Sequence, residues 1–193
     1  MSMEHKAFVF DTQTFHKMIE PIMAASVNNP ETARQFICEH LDLLQSPYTG
    51  ETLDEDWENE FDELTLQVYF DILLTACYDA EDDMGLGELW DAVNEVIGEM
   101  DILETPQIAV LGKEVVVGNI TVDPGMMGLG IVESDEVPIV LDKLLENREN
   151  AENTEPENLL YEAEADEWME AYDALCNLYE EAKHQGKGLL FTF

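Results

Sequence analysis

The fold class depends on the stretch Ile108-Ala-Val-Leu-Gly-Lys-Glu-Val-Val-Val-Gly-Asn-Ile-Thr-Val122. β-Branched residues dominate it, in short runs separated by glycine, lysine and asparagine, which is typical of strands joined by turns. We therefore predict strands over 108–111, 115–117 and 120–122. The glycine-rich segment 123–130 that follows is predicted to be a flexible connection.

Residues before this stretch have a helical pattern instead. Apolar side chains recur every three or four residues over 30–44, 64–78 and 88–100, so each segment should bury one stripe of a helix. Segment 64–78 is the most apolar stretch of the chain, but it is only about 15 residues long and contains Asp71, whereas a bilayer needs roughly 20 residues, so we predict a buried core helix. A short apolar run at 7–10 is predicted to be a strand, followed by a helix capped by Asp11 or Thr12.

The pattern after the stretch returns to helices and ends in a strand. Ser134 can cap a helix that reaches about residue 147, and 150–157 is predicted to be a polar loop. A long amphipathic helix is predicted over 158–184 with Gly186 as its C-cap, then a strand over 188–193. We predict an α+β fold: a mostly helical single domain over 1–193 with a small mixed or antiparallel sheet. Residues 1–104 should be mostly helical, and 105–193 should hold short strands and two helices.

Negative charge is the dominant feature of the composition. The chain has 44 aspartates and glutamates against 8 lysines and arginines, a formal net charge of −36. Residues 35–112 contain 21 of the acids and no lysine or arginine. Such a field repels nucleic acid and anionic membranes, so we expect no direct contact with either. Three tryptophans, six tyrosines and eight phenylalanines predict a folded chain despite this charge.

Cysteine usage and the N-terminus bear on the compartment. The three cysteines are widely spaced and form no C-x-x-C pair, which favours a reducing environment. No apolar run that could serve as a secretory signal follows the first charged residues, so such a signal is not expected. We expect a cytoplasmic protein whose cysteines, Cys38, Cys77 and Cys176, occupy apolar helical positions.

Several segments of the chain resemble a known family. These are Leu66 to Ala76, Ile108-Ala-Val-Leu-Gly112, Pro124-Gly-Met-Met-Gly-Leu-Gly130, Asp135-Glu-Val137 with Leu141, and Tyr172 to Phe193 with its ending Gly186-Lys-Gly-Leu-Leu-Phe191. Together they resemble the YfbM-like family of small bacterial proteins of unknown function, over roughly two thirds of the chain. The resemblance implies an α+β fold and no transferable catalytic residue. Some such bacterial proteins look like neutralising partners of toxins.

No arrangement of residues predicts a catalytic, cofactor or metal site. The four histidines are dispersed and are expected at surface or capping positions. Acidic residues from Asp79 onward alternate as in a calcium loop, but Met84 and Trp90 stand where an EF-hand needs glycine and glutamate. The glycines of 125–130 lack the lysine of a phosphate loop. Pairs of carboxylates are uninformative among 44 acids.

The acidic surface itself is the remaining candidate. Carboxylates interleaved with aromatic residues can steer a basic protein while the rings supply affinity. We therefore predict a non-enzymatic binding protein with a basic protein partner, an immunity-like inhibitor of a toxin. A DNA mimic that occupies a nucleic-acid-binding protein and an enzyme with an unrecognised site stay open as alternatives. The predicted partner contacts are Asp54, Glu55, Asp56, Trp57, Glu58, Glu60, Asp82 and Asp83.

Overall fold

The computed structural model describes residues 3–123, 128–157 and 159–193. The first half contains β1 (Lys6–Phe10), α1 (Thr12–Thr14), a π-helical turn (Phe15–Ile19), α2 (Glu20–Ser26), α3 (Glu31–Glu39), α4 (Leu66–Leu74) and α5 (Trp90–Met100). Short 3-10 turns lie at Leu41–Leu43, Trp57–Glu60 and Thr75–Cys77. The second half contains α6 (Ile108–Leu111), β2 (Lys113–Glu114), β3 (Val116–Val117), β4 (Ile120–Thr121), β5 (Leu129–Val132), α7 (Val137–Glu146), α8 (Arg148–Glu152), α9 (Ala165–Gln185) and β6 (Gly188–Thr192). The predicted α+β class is confirmed.

A four-stranded antiparallel sheet lies at the centre of the molecule. Its strand order is β1-β6-β5-β2, and β3 and β4 form a separate two-stranded hairpin. Leu190 of β6 lies opposite Phe8 of β1 and Ile131 of β5. The terminal strand is therefore paired on both edges, and its first four residues are all buried.

Both faces of this sheet are covered, because successive side chains of a strand point to opposite sides. Leu189 and Phe191 of β6 belong to one hydrophobic cluster, with α5, α6, α7, α8 and α9. Leu190, between them, belongs to the other cluster, with α2, α3, α4 and the β3–β4 hairpin. Strand β6 is therefore continuously apolar from Leu189 to Phe191 and does not alternate as a half-exposed strand would.

The two sequence halves interlock in space. Strand β1 comes from the N-terminal half but pairs with β6 at the C-terminus. Helix α5, also N-terminal to residue 104, packs against α9 in the layer formed by the C-terminal helices. The compositional change at residue 105 thus marks a change in local structure and no boundary in space.

Several local predictions hold. Asp11 caps α1 by accepting a hydrogen bond from the Thr14 amide. The helix predicted over 158–184 begins only at Ala165, but its predicted C-cap is confirmed: α9 ends at Gln185, and Gly186 follows with a φ of +66°, the left-handed conformation that glycine adopts readily. Segment 64–78 forms the buried α4 and its 3-10 turn. In the described part of the chain, no helix has the length and apolarity that crossing a membrane requires.

The predicted strand at 108–111 is wrong. Those residues form the single helical turn α6, in which Ala109 and Val110 are fully buried. The Tyr179 hydroxyl donates to the Ala109 carbonyl at 2.9 Å, and the His5 Nε2–H donates to the Val110 carbonyl at 2.7 Å. Side chains distant in sequence thus satisfy carbonyls that a sheet would otherwise pair, and they override the local β propensity.

A strand was missed where the sequence predicted a flexible connection. Residues 124–127 of that connection lie outside the described residues, but β5 begins at Leu129. A Cβ on Gly130 would lie 2.0 Å from the Leu111 carbonyl oxygen, so only glycine lets α6 cross this strand. The predicted loop at 150–157 also begins within α8, and so the C-terminal half holds more than the two predicted helices.

Candidate functional site

A large groove opens beside the acidic turn that follows α4. It has a volume of about 780 Å³ and is formed by the end of β1, the segment after α3, the turn 75–84 and the end of α9. Seven carboxylates line it: Asp11, Asp42, Asp79, Glu81, Asp82, Asp83 and Glu181. Among the described lining residues, Lys187 is the one basic side chain. We call this feature the acidic groove.

Gln45 positions one wall of the acidic groove. Its amide group donates to Asp79 Oδ1 at 3.2 Å and accepts from the Ala80 backbone amide at 2.9 Å. The Gln45 backbone amide donates to the Thr75 hydroxyl at 2.9 Å. Gln45, in the segment after α3, therefore holds the first part of the turn 75–84, from Thr75 to Ala80.

Strand β1 anchors the other end of the acidic turn. Asp83 Oδ1 accepts from the amides of Ala7 at 3.1 Å and Gly85 at 2.9 Å. The Met84 amide donates to the Ala7 carbonyl at 2.8 Å. A Cβ on Gly85 would lie 2.1 Å from the His5 carbonyl oxygen, so this close approach requires glycine. The acidic turn is thus fixed to the sheet edge.

Two apolar side chains lie exposed among these acids. Leu43 is 51 % exposed and Met84 is 37 % exposed, and both line the acidic groove. Most apolar side chains of this size in the described chain are buried in the two core clusters. The acidic groove therefore combines a dense negative charge with apolar surface that a partner could cover.

Lys187 lies next to Asp11 because Phe10 and Gly188 are paired across β1 and β6. Burial works against ionisation of Asp11, but hydrogen bonds from Thr14 and the Lys187 charge lower the pKa of Asp11 below its ordinary value.

Burial raises the pKa of Cys77, at the base of the groove, to about 12. Cys77 is therefore a protonated thiol at neutral pH and a poor nucleophile.

The predicted contact residues do not all lie at the same place in the structure. Asp82 and Asp83 line the acidic groove, whereas the described lining does not include the six from 54 to 60. Trp57 is 1 % exposed and makes edge contacts with the rings of Phe61 and Tyr69, so its prediction as a surface contact is wrong. It belongs to the core because its 3-10 turn packs inward.

The remaining predicted contacts form an exposed segment. Asp54, Glu55, Asp56 and Glu60 are exposed. Glu58 is half-buried, and its Oε1 accepts from Arg34 Nε at 2.6 Å, so a neighbouring cation already pairs it. We refer to residues 54–56 as the outer acidic segment.

Sequence reasoning missed five of the seven carboxylates as members of one site: Asp42, Asp79, Glu81, Glu181 and Asp11. Asp42, Asp79 and Glu81 can be recognised in the sequence as acids near turns, but no pattern of spacing indicates that residues 42 and 79 lie close together. Glu181 reaches the groove only through the packing of α9 on the sheet. The pairing of β1 with β6 could have suggested that Asp11 and Lys187 are neighbours.

Two of the histidines make defined contacts. His5 is buried, contrary to the prediction that histidines lie at surface or capping positions, and burial lowers its pKa to about 4. His16 is exposed and contacts Glu20 at 2.7 Å and Glu133 at 2.9 Å. In the described residues, no three histidines, cysteines or acids are placed to hold a metal ion. Cys38 lies in α3, but it is exposed and does not occupy the apolar position predicted for it.

Comparisons of the chain with models of protein families, with characterised proteins and with solved structures find no match. The resemblance to the YfbM-like family stays a prediction. The function proposed below is supported by the geometry and charge of this chain alone.

Proposed function

We propose that this protein binds a basic protein partner through the acidic groove and acts as an immunity-like inhibitor of that partner. The observation that supports the proposal is the convergence of seven carboxylates on one concave surface. They come from four separate parts of the chain, and one lysine among the described lining residues opposes them. The cost of gathering like charges is recovered when a cationic surface enters.

The apolar side chains in the acidic groove support a protein partner over a simple ion. Leu43 and Met84 offer surface whose burial contributes roughly 25 cal/mol per Å². Charge then sets how fast the partner arrives, and the apolar contact sets how long it stays. A partner segment with alternating lysine or arginine and apolar residues fits both features.

The test uses two variants with equal charge. The groove variant is Asp42→Asn, Glu81→Gln and Asp82→Asn, and the control is Asp54→Asn, Glu55→Gln and Asp56→Asn in the outer acidic segment. Each variant removes three negative charges from a net −36. All six side chains are exposed, so neither variant should affect folding.

The partner is first captured from cell extract at low salt and identified, and association is then measured with the purified partner. We expect the groove variant to slow association about tenfold at low ionic strength and the control to change it much less. Leu43→Ser should mainly speed dissociation. Equal effects of the two variants would refute the acidic groove as the binding surface. Displacement of the partner by duplex DNA would favour the DNA-mimic alternative.

A further inference from the structure

A second, smaller cavity lies on the sheet face opposite α9 and contains a buried carboxyl group. Its volume is about 110 Å³, several times the roughly 10–15 Å³ that one water molecule needs by this measure. Helix α4, the loop after α3 and the strands β1 and β6 surround it. The side chains that matter here are Phe8, Pro47, Tyr48, Asp71, Tyr78 and Thr192.

Asp71 is the unusual member of this lining. It lies in the middle of the apolar helix α4, between the fully buried Phe70 and Ile72, and is 9 % exposed. Its Oδ1 accepts from Gln67 Nε2 at 2.6 Å, while Oδ2 has no hydrogen bond to any described residue. A carboxyl group at such a position costs stability unless a partner compensates it. Burial raises the pKa of Asp71 to about 7, against a weaker opposing effect of the Gln67 hydrogen bond.

Aromatic rings form the walls beside Asp71. The rings of Phe8 and Tyr78 lie 4.6 Å apart between centroids, and burial raises the pKa of Tyr78. Tyr48 is 69 % exposed and stands on the outer side. Burial and the nearby Asp71 charge raise the pKa of Tyr48. A carboxylate with aromatic rings in the same cavity matches the chemistry that recognises an organic ammonium ion.

One cation of the chain also borders the cavity. Lys6 contributes to the lining, but its side chain is exposed, and no ion pair joins it to Asp71 in the described structure. The groups around the carboxyl are therefore Gln67, the two tyrosines and the outer Lys6. None of them supplies Asp71 with a counter-ion.

We propose that this cavity binds an alkylammonium group, with Asp71 as its counter-ion and the rings of Phe8, Tyr48 and Tyr78 around its methylene groups. The group is either a free small amine or the side chain of a lysine on another protein. The proposal does not depend on binding at the acidic groove, because the two surfaces are lined by different carboxylates.

The experiment titrates the full chain with n-butylammonium in phosphate buffer at about pH 8, where a carboxyl group of pKa about 7 is mostly ionised. Binding is followed by calorimetry and by the NMR signals of the two tyrosines. We expect saturable binding that Asp71→Asn weakens at least about tenfold, a loss of roughly 1.4 kcal/mol. Asp56→Asn, which removes the same charge from an exposed site in the outer acidic segment, should leave affinity within about twofold. n-Butanol, which lacks the charge, should bind far more weakly.

Two further measurements separate the sources of the ammonium group and guard against a folding defect. Tighter binding of N-acetyl-lysinamide than of n-butylammonium assigns the cavity to a lysine side chain, and the reverse order assigns it to a free amine. Tyr48→Ala, a change at an exposed position, should weaken binding while the fold is kept. Absence of saturable binding, equal losses in the Asp71 and Asp56 variants, or equal affinity for n-butanol would each overturn the proposal.

Discussion

Replacement of Asp71 by asparagine should stabilise the protein increasingly as the pH rises. The pKa of this carboxyl is about 7 in the fold against an ordinary value of 3.8. Since a tenfold change in proton affinity is worth about 1.4 kcal/mol, ionisation of Asp71 costs the folded state on the order of 4 kcal/mol. The asparagine side chain would keep the acceptor for Gln67 and stay neutral at every pH.

The sign of the pH dependence follows from the direction in which the pKa of Asp71 is shifted. A carboxyl whose pKa is higher in the fold than in the unfolded chain favours the folded state when it is protonated. This contribution is complete below about pH 4 and is lost as the pH rises through about 7. Between about pH 5.5 and about pH 8.5 the unfolding free energy of the wild type should fall by about 2 kcal/mol through Asp71. This is less than the full effect because part of the contribution is already lost at about pH 5.5.

Urea denaturation followed by tryptophan fluorescence measures this effect. The quantity of interest is the difference in unfolding free energy between wild type and Asp71→Asn, compared at the two pH values. The other carboxylates are common to both proteins and cancel, and amine buffers are avoided because they could bind at Asp71. Asp82→Asn serves as the control and should show a difference that is constant with pH. A constant difference for Asp71→Asn as well, or a variant less stable than wild type at high pH, would refute the reasoning.

The remaining predictions concern charge, backbone and a buried hydrogen bond. Between about 20 and about 300 mM NaCl the unfolding free energy should rise, because salt screens the repulsion within a net charge of −36, and a falling urea midpoint would contradict this. Gly98→Ala in α5, where a Cβ would meet nothing within 4 Å, should stabilise by about 0.5–1 kcal/mol. Gly130→Ala should prevent normal folding, since its Cβ would meet the Leu111 carbonyl oxygen at 2.0 Å. Circular dichroism spectra of the Gly98→Ala and Gly130→Ala variants test both expectations. Tyr179→Phe should lose about 1–3 kcal/mol in thermal or urea unfolding, because the buried Ala109 carbonyl is left without its donor.

The elements that sequence predicted well carry their own local signals. Strands β1 and β6 are short apolar runs, α9 has a long apolar stripe and a terminal glycine, and the β3–β4 hairpin turns at Gly118 and Asn119. In each case propensity, periodicity and capping agree with the final packing. Where these signals agree, the secondary structure of a segment can be predicted without knowledge of its tertiary contacts.

The site was less predictable than the fold. Asp82 and Asp83 were anticipated as contacts, but the outer acidic segment lines no wall of the groove in the described structure, and Trp57 is core. The presence of an acidic or aromatic residue in the sequence does not by itself indicate whether its side chain will be exposed to solvent. Asp71 illustrates the same point, since its place in an apolar run indicated only a core helix.

The sequence by itself determined the charge, the mostly helical α+β class and the two terminal strands, because these depend on composition and on contacts within a few residues. Tertiary structure alone decided that 108–111 would be a helix, that Gly130 would lie in a strand, and that acids far apart in sequence would share the acidic groove. The physical reason is that hydrogen bonds and close contacts between distant segments, such as that of Tyr179 with Ala109, outweigh the small energies of local preference.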